Sequence, residues 1–193
     1  PSYFPLNVKL NKSGYEDIGQ VIERGTHALS PDAFEQIANS EGAIVLDVRH
    51  QDDFVKGHIP QSIFIGIDGG FAPWVGALIA DVKQPILLVA PTGREEETIT
   101  RLSRVGFDQT LGYLDGSFDA WKAQGKDFDS ISGVSAESFA KEINESPLPV
   151  FDVRKEGEYL SEHIDSANNV SLEFLNDHLS EFPEKGYNMR TLA

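Results

Sequence analysis

The chain has 193 residues, and its 31 acidic and 16 basic side chains give a formal charge of −15. A composition of 40% hydrophobic and 24% charged residues is typical of a globular protein with a buried core. The sequence has no run of about 18 apolar residues, and it lacks the clustered Lys and Arg that a phosphate backbone requires. We therefore predict no membrane partner, no nucleic-acid partner and a cytoplasmic location.

Cysteine is absent from the sequence. This absence excludes disulfides, thiolate metal sites and every cysteine nucleophile within the chain. The sequence begins at Pro1 and not at Met, so we expect it to be a piece of a longer protein.

The first 26 residues carry Pro, Asn, Lys and Gly with little periodicity, which indicates a linker or an arm packed on the unit that follows. Ser30 is a good N-cap and predicts a helix over 31–39. The apolar run 43–48 is typical of a strand buried on both faces.

Strands and helices then alternate along the first part of the chain. The patterns predict strands over 62–65, 85–90 and 110–114, and helices over 71–80, 94–105 and 118–124. Such alternation requires crossover connections, so we predict an α/β fold with a mostly parallel central sheet and helices on both faces. Ligands of such sheets usually bind beyond the carboxyl ends of the strands, which directs attention to the loop that begins at Ala90.

An internal repeat spans a large part of the chain. A shift of 105 residues aligns 30–59 with 135–164 without a gap, and nine of the thirty pairs are identical, where chance gives about two. The identical pairs include Asp47 with Asp152, Arg49 with Arg154 and His58 with His163. Ser135 accordingly predicts a helix over 136–144, followed by a strand over 149–153.

The repeat predicts three regions. We assign 1–26 to a linker or arm, 27–130 to a full unit, and 131–193 to the first part of a second unit. The second unit stops a little past its middle, because only 63 residues follow position 130.

The loop after the predicted strand 85–90 has six residues: Ala90, Pro91, Thr92, Gly93, Arg94 and Glu95. A loop between a buried strand and a helix can direct successive N–H groups inward, and the helix N-terminus adds partial positive charge. In an enzyme, this arrangement would stabilise an anion on the first residue of the loop.

Three motifs follow one another in the first unit: the strand end at 46–49, the segment 57–60 and the six-residue loop. Together with the closing segment 112–116 and Trp121, they resemble the rhodanese-like sulfurtransferase family. The first two motifs recur in the second half. The resemblance implies a rhodanese-like fold in tandem, with a cysteine expected first in the loop to carry sulfane sulfur as a persulfide.

A narrower resemblance involves segments 3–8, 14–15, 71–76 and 93–97, which are similar to fusions of the persulfide dioxygenase type. It implies that the chain is the C-terminal part of a protein with an upstream metallo-β-lactamase-fold domain. Iron or zinc would then belong to that upstream domain, and we predict no cofactor in this chain.

The sequence departs from the family pattern where the chemistry should occur. Ala90 stands at the nucleophile position, so we predict no catalytic residue and a degenerate loop. Catalysis by Thr92 would need a general base in contact, and the loop offers only carboxylates and Arg94. Glu95, Glu96 and Glu97 would lie in the first turn of the predicted helix. The helix dipole explains them, because it stabilises each carboxylate there by about 0.3–1 kcal/mol.

We interpret the remaining repeated residues as structural. Asp47 with Arg49, and Asp152 with Arg154, are predicted strand-end ion pairs that tie loops together. His58 and His163 are predicted to bond backbone carbonyls at turns. The five histidines show no His-x-His or His-x-x-x-His spacing, so we predict no metal site.

The sequence leaves three hypotheses open. The first is a catalytically silent rhodanese-like module of a sulfur-metabolism protein, which packs against an upstream metallo-β-lactamase-fold domain or protein partner, or binds a persulfide or small anion. The second is an inert part of a persulfide dioxygenase or sulfurtransferase whose catalytic residues lie outside this chain. The third is a dimerisation or scaffold domain without a ligand.

Overall fold

A computed structural model of the chain describes residues 17–145, 149–182 and 190–192. The chain divides into two compact units, Pro1–Ser130 and Ile131–Ala193. Among the described residues, no helix has the length and apolar character that crossing a membrane demands.

The first unit is built on five parallel strands in the order β1-β5-β4-β2-β3. The strands are β1 (Ala28–Leu29), β2 (Ile44–Asp47), β3 (Ile63–Phe64), β4 (Ile86–Val89) and β5 (Thr110–Leu114). The helices are α1 (Ile18–Gly25), α2 (Pro31–Glu41), α3 (Gln51–Lys56), α4 (Phe71–Leu78), α5 (Glu95–Ser103) and α6 (Ser117–Ala123). The predicted α/β class with a parallel central sheet is confirmed.

The central strand β4 divides the core into two layers, because alternate side chains of a strand point to opposite faces. Ile86 and Leu88 pack with residues of α1, α4 and α5 on one face of the sheet. Leu87 and Val89 pack with residues of α2 and α6 on the other face. All four strand residues are buried, which explains why this strand reads as a continuous apolar run.

The start of the first unit is a helix that the sequence analysis did not predict. Residues 18–25 form α1, and the side chain of Asp17 caps it by accepting hydrogen bonds from the N–H groups of Gly19 and Gln20. Val21 of this helix is fully buried in the core. The sequence analysis predicted no helix in the arm or linker 1–26, although Ile18, Val21 and Ile22 recur at helical spacing. Residues 1–16 lie outside the described part of the chain.

The second unit begins with the same order of elements as the first unit has from β1 to β3: strand, helix, strand, helix, strand. Its elements are β6 (Ser132–Val134), α7 (Ala136–Glu145), β7 (Val150–Asp152), α8 (Glu156–Ser161), β8 (Ala167–Asn169), the 3-10 helices Leu172–Asp177 and Leu179–Glu181, and β9 (Arg190–Leu192). β6 pairs with β9, and β7 pairs with β8, both in parallel.

The register of β7 on β8 repeats that of β2 on β3. Asp47 lies opposite Phe64 in the first unit, and Asp152 lies opposite Asn169 in the second. Asp152 follows Asp47 by 105 positions, and Asn169 follows Phe64 by the same 105 positions. This is the shift that aligns the repeated sequences.

Candidate functional site

The loop at the carboxyl end of β4 begins with a buried methyl group. Ala90 is 2% exposed and packs in the apolar layer beneath α4 and α5. The N–H of Arg94 donates to the carbonyl of Pro91 at 3.0 Å, and Gly93 has a φ of +86°, which closes the loop as a tight turn. The loop then enters α5 at Glu95.

Arg94 is held between two carboxylates. Its Nη1 lies 2.9 and 2.8 Å from the two carboxylate oxygens of Asp68, which precedes α4. Its Nε and Nη2 donate to Glu97 of α5 at 2.8 and 3.1 Å. All three guanidinium nitrogens are therefore engaged by carboxylates, the arrangement in which Arg–carboxylate pairs are strongest.

These contacts determine the charge of the loop. Hydrogen bonds from Arg94 lower the pKa of the Asp68 and Glu97 carboxyls, so both stay ionised at neutral pH. Glu95 and Glu96 add two more carboxylates beside the same guanidinium in sequence. Segment 94–97 together with Asp68 therefore carries four carboxylates and one guanidinium, a charge balance that disfavours an anionic ligand.

The loop also lacks groups for nucleophilic chemistry. Ala90 has no reactive atom, and Pro91 has no N–H to direct at an anion. Thr92 is exposed, and within the described part of the chain its hydroxyl forms no hydrogen bond to a base. The arrangement supports no covalent catalysis at this position.

A second group of predicted residues forms a buried clamp at the end of β2. Arg49 donates through Nη2 to Asp47 at 2.6 Å and to the carbonyl of Gly57 at 2.8 Å. The ring of Phe118 covers the guanidinium, 4.5 Å from its carbon to the ring centroid. Since Gly57 follows α3, the clamp fixes the end of that helix against the strand, and it leaves neither charge available to a ligand.

His58 is occupied beside this clamp. Its Nδ1 lies 2.9 Å from the carbonyl of Phe54, and the two rings stack with centroids 4.0 Å apart. The backbone of His58 also exchanges two hydrogen bonds with Asp129, each 2.9 Å long. These contacts hold the ring and the backbone of His58 at the end of α3.

The second unit reproduces the clamp. Arg154 donates through Nη2 to Asp152 at 2.6 Å and to the carbonyl of Glu162 at 2.8 Å. His163 likewise lies 2.7 Å from the carbonyl of Tyr159 and stacks on its ring. The difference is burial, because the Arg154 side chain is 47% exposed whereas that of Arg49 is 9% exposed. Arg154 also lowers the pKa of the Asp152 carboxyl through its hydrogen bonds.

The structure thus brings together Asp47 with Arg49, Asp152 with Arg154, and Arg94 with its helical neighbour Glu97. It does not bring the clamp residues into contact with Arg94. Sequence patterns gave no indication of Asp68, which stands 26 positions before Arg94. The only signal near it is the glycine-rich segment 66–70, since Gly69 has a φ of +139° that other residues rarely adopt.

No group of three or more His, Cys, Asp or Glu side chains is arranged to hold a metal ion within the ranges that the structure describes. His58 and His163 contact backbone carbonyls, and His178 lies 2.6 Å from the Glu181 carboxylate.

Fold and site together define an α/β domain whose central strand leads into a loop that begins with a buried alanine. Residues 30–124 match the family model described as the rhodanese-like domain. This part of the chain is therefore a rhodanese-like domain with sulfurtransferase homologues.

Two relatives illustrate the similarity. The chain is 34% identical over 82 residues to the uncharacterized protein YibN of Escherichia coli K12. The aligned segment covers 42% of this chain and 57% of YibN. It is 28% identical over 89 residues to the thiosulfate sulfurtransferase GlpE of Pseudomonas savastanoi, which covers 46% of this chain and 80% of GlpE. The chain thus spans little more than half of the length of YibN.

Among solved structures, the chain is similar to the rhodanese-like domain of an Anabaena protein. The identity is 17% and the TM-score 0.47, over 55% of this chain and 79% of that domain.

Proposed function

We propose that this chain is a catalytically silent rhodanese-like module of a sulfur-metabolism protein, with a structural or binding role. The observation that carries the proposal is Ala90, a buried methyl group at the first position of the loop. Transfer of sulfane sulfur through a protein persulfide requires a thiolate, and the sequence contains no cysteine.

The repeated clamp supports a second rhodanese-like unit in tandem. Asp152, Arg154 and the Glu162 carbonyl have the same mutual geometry as Asp47, Arg49 and the Gly57 carbonyl, to within about 0.1 Å in each donor–acceptor distance. In the first unit Val48 is fully buried, whereas its counterpart Val153 is 44% exposed. This exposed face supports the proposal that residues 131–193 are the first part of such a domain.

The narrower proposal is that the chain belongs to a fusion with a metallo-β-lactamase-fold domain, which would be its partner and would hold the metal. It rests on the segments 3–8, 14–15, 71–76 and 93–97, of which the first two lie outside the described residues. The test is to determine the protein sequence encoded in the same reading frame upstream and downstream of this chain. An upstream His-x-His-x-Asp-His pattern and a downstream Cys-x-x-Gly loop would support it, and a frame without the upstream pattern would refute it.

The test of silence uses the substitution Ala90→Cys, which introduces a single thiol at the nucleophile position. After incubation with thiosulfate, intact-mass spectrometry should show no added sulfur on the unmodified chain and at most slow, partial addition on A90C. Thr92→Cys serves as the control, because it places the same thiol two residues further along the loop. Sulfur addition to the unmodified chain would overturn the proposal.

A further inference from the structure

Asp68 and Glu97 have no role in the proposed function, yet they hold the one cation among the six loop residues. We propose that these two carboxylates are built-in counter-ions that occupy Arg94 and exclude anionic ligands from the loop at Ala90. The inference rests on the rhodanese-like assignment of the loop. It adds a second reason for inactivity: the missing thiol prevents sulfur transfer, and the two counter-ions prevent binding of an anionic sulfur donor.

The geometry of Arg94 supports this role. A guanidinium has five N–H donors in a planar fork, and here one edge faces Glu97 while Nη1 contacts both oxygens of Asp68. An incoming anion would have to displace a carboxylate that is covalently part of the same chain. Such an intramolecular competitor acts at a high effective concentration, so a free anion at ordinary concentration loses the competition.

Asp68 is placed by the fold and not by chance contact of flexible side chains. The preceding residue, Ile67, is buried, its N–H donates to the carbonyl of Val48 at 3.1 Å, and its carbonyl accepts from Arg101 of α5. The following residue, Gly69, has a φ of +139° that a side chain would disfavour. The two hydrogen bonds of Ile67 thus hold the backbone directly before the Asp68 carboxylate.

Glu97 is placed by helical geometry. It lies three residues after Arg94, and the first turn of α5 sets it on the same face. Arg101 lies one turn further, 3.7 Å from the Glu97 carboxylate. Asp68, Arg94, Glu97 and Arg101 therefore form one network that ties the segment before α4 to α5. Because Asp68 and Glu97 are substantially exposed, these ion pairs should contribute little to folding stability.

The test uses A90C as a reporter, since its thiol would be the only one in the chain. Its reaction rates with neutral iodoacetamide and with dianionic Ellman's reagent are measured at low salt. Both reagents react with the thiolate, so its fraction cancels in the ratio of the two rates. The ratio therefore reports the electrostatic potential at the thiol. In D68N/E97Q the Arg94 charge is no longer neutralised, and the rate ratio of dianionic to neutral reagent should rise about three- to tenfold.

The matched control is E95Q/E96Q, which removes two charges from the start of the same helix and leaves both partners of Arg94 in place. Its ratio should rise less than that of D68N/E97Q, and high salt should abolish the difference. Equal ratios in the two double variants would overturn the inference. Should the thiol at Ala90 prove inaccessible, Thr92→Cys gives the same comparison, because Thr92 is exposed.

The two proposals fail separately. Sulfur transfer by the unmodified chain would refute silence, and it involves neither reporter thiol. Equal reagent ratios would refute the counter-ion role while leaving the chain inactive.

Discussion

The ion pairs Asp47–Arg49 and Asp152–Arg154 share nearly the same hydrogen bonds but differ in their surroundings. Phe118 covers the first guanidinium, whereas the second is about half exposed. A buried charge that loses its partner cannot recover solvation, but an exposed one can. Burial, and not geometry, should therefore decide how much each pair contributes to stability.

Asp47→Asn should destabilise the first unit by about 3–5 kcal/mol, because it leaves the Arg49 charge buried and unpaired. The matched variant Asp152→Asn should have a several-fold smaller effect on the second unit, since water can solvate Arg154. Hydrogen exchange measured peptide by peptide reports each unit separately. Equal losses in the two units would show that burial does not decide the outcome.

Ser117 is a residue under local strain. Its φ is +56°, and its hydroxyl is buried without a hydrogen-bond partner. A residue with a Cβ disfavours this left-handed conformation, which glycine adopts freely.

Ser117→Gly should therefore raise the free energy of unfolding by about 0.5–1 kcal/mol, even though glycine loses more backbone entropy on folding. The measurement is urea unfolding followed by tryptophan fluorescence, since Trp74 and Trp121 both lie in the first unit. Ser117→Ala is the control that removes the hydroxyl and keeps the strain. A glycine variant no more stable than the alanine variant would mean that the conformation carries no cost.

At the scale of the elements, the end of α3 approaches α6 unusually closely. A Cβ at Gly57 would lie 2.8 Å from the ring of Phe118. The φ of Gly57 is 175°, which any residue adopts, so the requirement for glycine comes from space alone. The same ring covers Arg49, so this contact links helix packing to the clamp.

Gly57→Ala should cost about 1–3 kcal/mol, because the methyl group forces Phe118 from its position. In a Phe118→Leu background the same substitution should cost clearly less, since the smaller side chain leaves room for the methyl. The difference between the two costs, from urea unfolding, is the coupling between the positions. Additive effects would contradict the steric explanation.

The elements that the sequence predicts well are those whose burial produces a pattern. The strand 85–90 and the apolar stripe of helix 94–105 are observed as β4 and α5, and β5 has the predicted bounds. By contrast, α3 and the two-residue β1 were not predicted, and each buries a single apolar side chain, Phe54 and Leu29, which shows no period. Helix α1 was also not predicted, although Ile18, Val21 and Ile22 stand at helical spacing.

The site shows the same division. The absent nucleophile at Ala90 is a property of one position and can be read directly from the sequence. The partners of Arg94 could be predicted only in part, because Glu97 is a helical neighbour and Asp68 comes from a distant loop. A contact between distant loops depends on how β3 and β4 are placed in the sheet, which no local pattern encodes.

At the scale of the whole molecule, the two units share the clamp geometry and differ in how deeply it is buried. The first unit surrounds its clamp with two apolar layers, and the second keeps the clamp with an exposed apolar face. The framework of a sulfurtransferase-like domain is thus present without the thiol that sulfur transfer through a protein persulfide requires.

The central claim is that the chain has the framework of the domain and no catalytic activity. The most direct test measures whether the unmodified chain forms thiocyanate from thiosulfate and cyanide. The thiosulfate sulfurtransferase GlpE serves as the positive control. We predict a rate equal to that of the uncatalysed reaction at every protein concentration. A rate that rises in proportion to the concentration of the unmodified chain would contradict catalytic silence.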